Sequence, residues 1–205
     1  MTGSAGAWLS VVGIGEDGLD GVSPAGRRLI DAAEMLMGGE RHLAMVPDDG
    51  RERLAWPSPF NKGIERLMGL RGRRVCVLAS GDPMDHGIGA TLARRIPAGE
   101  TIVVPAPGAF ALACARMGWP RAEVETLSLH GHPAALLHAY VHPGARLLIL
   151  SENGATPGVI AGLLRQRGYG GSRITVLEHL GGPLERRIDG LAADWNLDQV
   201  ATLNL

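Results

Sequence analysis

The chain has 205 residues, 45% of them hydrophobic, with 20 basic and 21 acidic side chains and a net charge of −1. That length can bury one sizeable core or two smaller ones. The charge balance gives no electrostatic reason to expect nucleic acid or an anionic membrane surface, and an aromatic content of 4% argues against a base-stacking platform.

Residues 8–14 form the first predicted strand, and Gly13-Ile14-Gly15-Glu16-Asp17-Gly18 follows directly. The segment matches the dinucleotide fingerprint G-x-G-x-x-G. A pyrophosphate, however, wants backbone amides and a helix N-terminus without carboxylates nearby. Glu16 and Asp17 stand between the glycines, and the next helix signal is Ser23-Pro24, a cap followed by proline at the first helical position. The segment therefore reads also as a plain strand-to-helix loop, or as one facing a neutral or cationic substrate edge. A helix is predicted over 64–70.

The apolar run 74–79 reads as a strand covered on both faces. It runs into Ser80-Gly81-Asp82-Pro83-Met84-Asp85-His86-Gly87, a small-residue turn carrying carboxylates. Ligands of open α/β sheets collect at such carboxyl ends, and Gly81 allows close backbone approach. The same residues read equally as an Asp-Pro turn. Cys76, within this run, and Cys114 read as small buried hydrophobes rather than a disulfide or a metal pair.

A helix is predicted over 88–95 and a strand over 101–104. Pro105-Ala106-Pro107-Gly108 then makes a stiff turn into a small-residue helix over 109–117. Strands over 124–129 and 147–150 enclose a helix over 134–139. The next helix, 157–167, has Thr156 as its cap and Gly168 as its stop. Strands over 174–178, 186–191 and 200–205 complete the chain, with Glu178-His179-Leu180-Gly181-Gly182-Pro183 joining the first two. Alternating strands and helices read as an α/β fold. The proline-bearing stretch near 97–107 sets the expected boundary between an N-terminal domain, 1–104, and a C-terminal domain, 105–205.

His130 and His132 flank Gly131, and His138 and His142 are four apart, but Pro143 disrupts helical spacing and no cysteine or carboxylate cluster joins them. No metal site is expected. No segment has the pattern of a leader or a membrane span, so the expected compartment is the cytoplasm.

The ordered set VVGIG, ASGDP, PAPGAF, LSENGATP and EHLGGPLE resembles the tetrapyrrole (corrin/porphyrin) methylase family. The segments Gly38-Gly39-Glu40-Arg41-His42, Leu127-Ser128-Leu129-His130-Gly131 and 178–183 are similar to the C5-methylating members that act on precorrin-6Y or precorrin-7. The resemblance implies two α/β domains with the active site in a cleft between them, a homodimer, and S-adenosylmethionine as cofactor with S-adenosylhomocysteine as product. It implies a cofactor site of Gly81, Asp82, Met84, Asp85, Phe110, Ala111, Leu150, Ser151, Leu180 and Gly181. Gly15, Glu16 and Asp17 would face the tetrapyrrole, and His86, His130 and His179 are candidate bases.

The sequence departs from the family pattern at Glu16, where many members carry proline, and at Asp85-His86, where many carry an aromatic. Ending at Leu205 inside its last predicted strand, the chain is expected to match the N-terminal half of a fused enzyme, without the C15-methylating decarboxylase domain. Two other functions fit parts of the sequence: a nicotinamide-dependent oxidoreductase, from the glycine fingerprint, and a non-catalytic tetrapyrrole or metal carrier, from the histidines.

Overall fold

The first strand, β1 (Leu9–Ile14), is buried along its whole length, and its side chains divide strictly by parity. Leu9 and Val11 point into one hydrophobic cluster, Val12 and Ile14 into another. The same alternation runs through β2 (Met35–Gly38), where Met35 and Met37 oppose Leu36, and through β4 (Val75–Ser80), where Val75, Val77 and Ala79 oppose Cys76 and Leu78. A period of two with both faces apolar is the signature of a parallel sheet covered by helices. Helices α1 (Pro24–Ala32) and α2 (Glu40–Ala44) supply Ile30 and Leu43 to one face. Helices α3 (Phe60–Met68) and α4 (Ile88–Ala93) supply Ile64, Leu67 and Leu92 to the other. With β3 (Glu52–Ala55) and β5 (Thr101–Val104), the sheet has the order β3-β2-β4-β1-β5, all parallel.

The computed structural model describes residues 6–205. The chain divides after Gly108 into two compact units, the second being Ala109–Leu205. That second unit contains α5 (Ala109–Met117), the parallel pair β6 (Glu125–Ser128) and β7 (Leu147–Leu150), α6 (Thr156–Gln166), and the antiparallel pair β8 (Arg173–Glu178) and β9 (Arg186–Leu191). The α/β class matches the expectation from sequence, and the apolar run 74–79 is a strand covered on both faces.

Local signals worked where a side chain or glycine fixed a helix end. Ser23 accepts from the Gly26 amide at 3.2 Å, with Pro24 at the first helical position. Gly168, at φ 81, closes α6: its amide donates to Arg165 O at 3.1 Å and the Tyr169 amide to Leu164 O at 2.8 Å, the paired bonds of a Schellman motif.

Three expectations need correction. Thr156 does not cap α6; its hydroxyl points backward and accepts from the amides of Glu152 and Asn153. Residues 134–139 form a 3-10 helix, not an α-helix. Residues 200–205 form no ladder strand, only an isolated bridge between Asn204 and Glu178.

Candidate functional site

In the first unit, three glycine-bearing segments meet at the carboxyl ends of β1, β4 and β5. The Gly81 amide donates to Ile14 O at 3.0 Å, and the Ala106 amide donates to Gly81 O at 3.2 Å. A Cβ on Gly13 would lie 2.0 Å from Gly81 O, so only glycine permits this approach. Gly81 itself has φ 54, and its missing Cβ would stand 3.0 Å from Gly108 Cα. The crossover after β1 runs to β2, beyond β4, and the crossover after β4 runs to β5, beyond β1. Opposed crossovers of this kind mark where open α/β sheets bind ligands.

At the turn after β4, Asp82 Oδ1 accepts from the Met84 amide at 2.8 Å, so one of its oxygens holds an Asx turn. Asp85 approaches the same spot: its Oδ2 would lie 3.6 Å from a Cβ on Gly108. Met84 is 49% exposed, an apolar side chain displayed beside two carboxylates. His86 is exposed and has φ 56; it and His179, at φ 47, are the non-glycine residues with positive φ among those described. Such backbone is uncommon outside glycine and concentrates at functional positions.

The loop after β1 is tied to β2 and α2 by charge. Glu16 forms an ion pair with Arg41, whose Nη2 also lies 3.0 Å from His42 Nε2. Asp17 folds back on its own loop, its carboxylate filling the space that side chains on Gly15 or Gly21 would need. Gly18 closes a turn onto Gly15 O at 3.1 Å, and α1 begins only at Pro24. Only a 3-10 turn, Leu19–Gly21, follows the third glycine, so no α-helix N-terminus stands there as the phosphate cradle that a dinucleotide needs.

Sequence reading did not single out Arg41 and His42 as a hydrogen-bonded pair on α2. The available signal was two glycines at a strand end followed by Arg-His on one short helix. Burial pushes His42 down to about 4, the Arg41 cation pushes it the same way, and Glu16 opposes them. The neutral ring then accepts from Arg41 through Nε2. Because the folded form resists protonation, stability is full above the ordinary histidine value and falls as pH drops from about 6.5 toward 4. A loss of roughly 1–2 kcal/mol is expected over that window, after solvent screening. Urea unfolding at stepped pH should show this slope, and His42→Gln should remove that part of it.

In the second unit, the candidates divide between lining and packing. The carboxyl ends of β6 and β7 are joined by the Leu129 amide donating to Leu150 O at 2.8 Å. There, Ser128 Oγ accepts from the His130 amide at 3.2 Å, and the His130 ring, 78% exposed, lies 3.9 Å from Glu152. Glu152 also accepts from the Gly131 amide. Ser151 Oγ donates to Asn204 Oδ1 at 2.6 Å.

Phe110 and Leu180, by contrast, are buried in one core cluster with Leu148 and Leu177. Their side chains pack; what they can offer a ligand is backbone. Ala111 is exposed on α5. Gly181, at φ 83, donates its amide to Glu185 Oε2 at 2.7 Å, and Arg116 pairs with the same carboxylate. His138 turns to Arg167, and His142 Nδ1 lies 3.2 Å from Pro143 O. Among the described residues no three of His, Cys, Asp or Glu converge as a metal-binding group, and no helix is long and apolar enough to cross a membrane.

The fold recurs in known proteins. The family model for the tetrapyrrole (corrin/porphyrin) methylases matches residues 9–195. A precorrin-6Y C(5,15)-methyltransferase [decarboxylating] from Sinorhizobium sp is 44% identical over 97% of the chain, which spans 48% of that relative. The chain thus covers about half the length of the first curated relatives it matches. A cobalt-precorrin-7 C(5)-methyltransferase from Salmonella typhimurium is 29% identical, with 96% of the chain and 98% of the relative aligned. The crystal structure of a precorrin-6Y methylase from Archaeoglobus fulgidus superposes with a TM-score of 0.70 at 28% identity, covering 97% of this chain and 96% of that one.

Proposed function

Because this chain belongs to the tetrapyrrole (corrin/porphyrin) methylases, we propose that it is an S-adenosylmethionine-dependent C-methyltransferase acting at C5 of a precorrin, precorrin-7 or precorrin-6B, in cobalamin biosynthesis. The observation that carries this reading is the meeting of the Gly13, Gly81 and Ala106 segments at the carboxyl ends of β1, β4 and β5. Three of the motifs that suggest the family from sequence alone thereby become one backbone junction.

The residues suit the cofactor. Asp82 and Asp85 are carboxylates at a ligand-prone strand end, complementary to an ammonium, a sulfonium or ribose hydroxyls, and Met84 offers exposed apolar contact. In this reading Gly81, Asp82, Met84, Asp85, Phe110, Ala111, Leu150, Ser151, Leu180 and Gly181 hold the cofactor, Phe110 and Leu180 through their backbone. When bound, S-adenosylmethionine would supply an electrophilic methyl group to the C5 electron pair and leave as S-adenosylhomocysteine.

The chain's own residues bind, orient and exclude water, effects worth up to roughly 7–11 kcal/mol in favourable systems. Gly15, Glu16 and Asp17 border the tetrapyrrole, with the Glu16–Arg41 pair fixing that loop. The proton released at C5 passes to a base, for which His86, His130 and His179 are the candidates. The same reading makes the protein a cytoplasmic homodimer that works with a C15-methylating decarboxylase domain or chain.

Calorimetric titration with S-adenosylhomocysteine tests the cofactor site. Saturable binding is expected, weakened at least tenfold in Asp82→Ala. Asp82→Asn keeps an acceptor for the Met84 amide, so it separates the turn from the charge: binding restored by Asn assigns Asp82 to the turn, binding still weak assigns its charge to the ligand. A folded chain that binds NAD and not S-adenosylhomocysteine would overturn the reading.

A further inference from the structure

Strands β1 and β2 are not neighbours: β4 runs between them, so their backbones stand about 10 Å apart. Side chains from beyond both strands nevertheless meet. Glu16, two residues past β1, pairs with Arg41, three residues past β2 on α2. The pair spans the width of β4 at its carboxyl end, where that strand runs into Ser80-Gly81-Asp82. A charged strap thus crosses the rim beside the turn of the candidate site.

The two partners are unequally placed. The Arg41 side chain is 42% exposed and the Glu16 side chain 16%, so the cation is the partner that a ligand reaches first. The guanidinium also has donors to spare. Of its five N–H groups, one on Nη1 goes to Glu16 Oε1 and one on Nη2 to His42 Nε2 at 3.0 Å. Glu16 holds Arg41 by one oxygen, whereas the guanidinium fork fits both oxygens of a carboxylate in parallel. The His42 ring is seated over Gly39, where a Cβ would lie 3.4 Å from its Nδ1. Burial and the Arg41 cation keep that ring neutral near pH 7. It therefore accepts from Arg41 and sets the direction of the guanidinium without cancelling its charge.

We propose that Arg41 is the receptor for one side-chain carboxylate of the substrate, and that Glu16 is a placeholder which the arriving carboxylate replaces. This rests on the reading of the substrate as a precorrin, a macrocycle whose acetate and propionate arms are ionised at neutral pH. A bidentate carboxylate is a stronger partner for Arg41 than a single oxygen of Glu16. Exchange leaves no bare cation at the rim, because one carboxylate departs as another arrives. Holding Arg41 in place beforehand also reduces the side-chain entropy lost on binding. The same strap sets a selection rule: a macrocycle whose arms are amides offers no anion to compete with Glu16 and leaves the pair closed.

The test uses two corrins of one ring: dicyanocobyrinic acid, whose arms end in free carboxylates, and dicyanocobinamide, whose arms are amides. Each is titrated into the full chain and into Arg41→Gln, Arg41→Lys and Glu16→Gln, with S-adenosylhomocysteine as a control ligand throughout. Cobyrinic acid should bind at least tenfold more tightly than cobinamide. Arg41→Gln should abolish that preference, and Arg41→Lys should keep only part of it, since an ammonium supplies charge without the fork. Glu16→Gln should tighten cobyrinic acid severalfold and leave cobinamide unchanged. A merely structural ion pair would give both partners the same sign, each loss weakening binding. Equal affinity for the two corrins, no binding of either, or weaker cobyrinic acid binding in Glu16→Gln would overturn the proposal. If S-adenosylhomocysteine still binds in those cases, the methyltransferase reading stands and the role of Arg41 alone falls. A folded chain that binds neither corrin nor S-adenosylhomocysteine overturns both.

Discussion

Replacing Gly13 with alanine is expected to cost about 4 kcal/mol or more, enough to leave much of the protein unfolded at 37 °C. The new Cβ would stand 2.0 Å from Gly81 O and 2.5 Å from the Ala106 nitrogen. Both are backbone atoms, and they are already bonded to each other, with Gly81 anchored in turn to Ile14 O. No rotamer change relieves such a contact. β1 and β4 would have to part, breaking the junction bonds and opening the central strand pair. Gly99→Ala is the control, since a Cβ there meets nothing within 4 Å and should shift stability by less than about 0.5 kcal/mol. Urea midpoints of the two variants decide the matter. A Gly13→Ala cost below about 1 kcal/mol would mean that the three loops slide apart freely, and the junction would lose its standing as a fixed scaffold for the candidate site.

The junction also shows what the sequence could and could not reveal. Each of its glycines lay in a visible motif, because a strand ending in small residues has a compositional signature. β1, β4 and β5 were legible through β-branched or continuously apolar runs. β2 was not: Met35-Leu36-Met37 has no β-branched residue, and tertiary burial on both faces made it a strand. β3, with Glu52 and Arg53, carries almost no apolar signal. It is held as an edge by arginines that serve as partners for carbonyls at helix ends: Arg51 reaches Ala33 O at 3.1 Å beyond α1, and Arg53 reaches Leu43 O at 3.0 Å within α2 and Val46 O at 2.7 Å beyond it. No local pattern announces such pairing.

For the site, the sequence located the strand ends but could not separate lining from packing. Phe110 lies in a helix of small residues whose faces differ little in polarity, so the side that meets the core was undetermined. Glu152 and Asn204 escaped notice because their roles arise from partners 21 and 53 residues away, Gly131 and Ser151.

A comparable effect is expected at Glu178, the polar tie of the second unit. Glu178 is 3% exposed, yet its carboxylate accepts three hydrogen bonds. Arg186, its cross-strand partner on β9, donates through Nε at 2.7 Å and Nη2 at 3.3 Å, and the Ala201 amide donates to Oε1 at 2.6 Å. One carboxylate thus links β8 to β9 and to the segment leading to residues 203–205. Burial pushes its pKa up, but the Ala201 amide and the Arg186 guanidinium together outweigh it and hold the group below the usual carboxylate range.

Glu178→Ala should cost roughly 2–4 kcal/mol, through a vacated buried volume and an Ala201 amide stripped of its acceptor. Arg186 contributes little to that penalty, because its side chain is 63% exposed and can turn to water. Glu178→Gln retains an acceptor for Ala201 and should cost less, about 1–2 kcal/mol. The two variants also separate hydrogen bonding from charge. A lowered folded value means that the charge's contribution is complete above the ordinary glutamate range and disappears as pH falls through the folded value. Wild type and Glu178→Gln should therefore converge in urea midpoint at acid pH, while Glu178→Ala stays weaker than both. If the gap between wild type and Gln were as wide at acid pH as at pH 7, the ion pair would not be the source of the difference, and the geometry of the Ala201 bond would have to account for all of it.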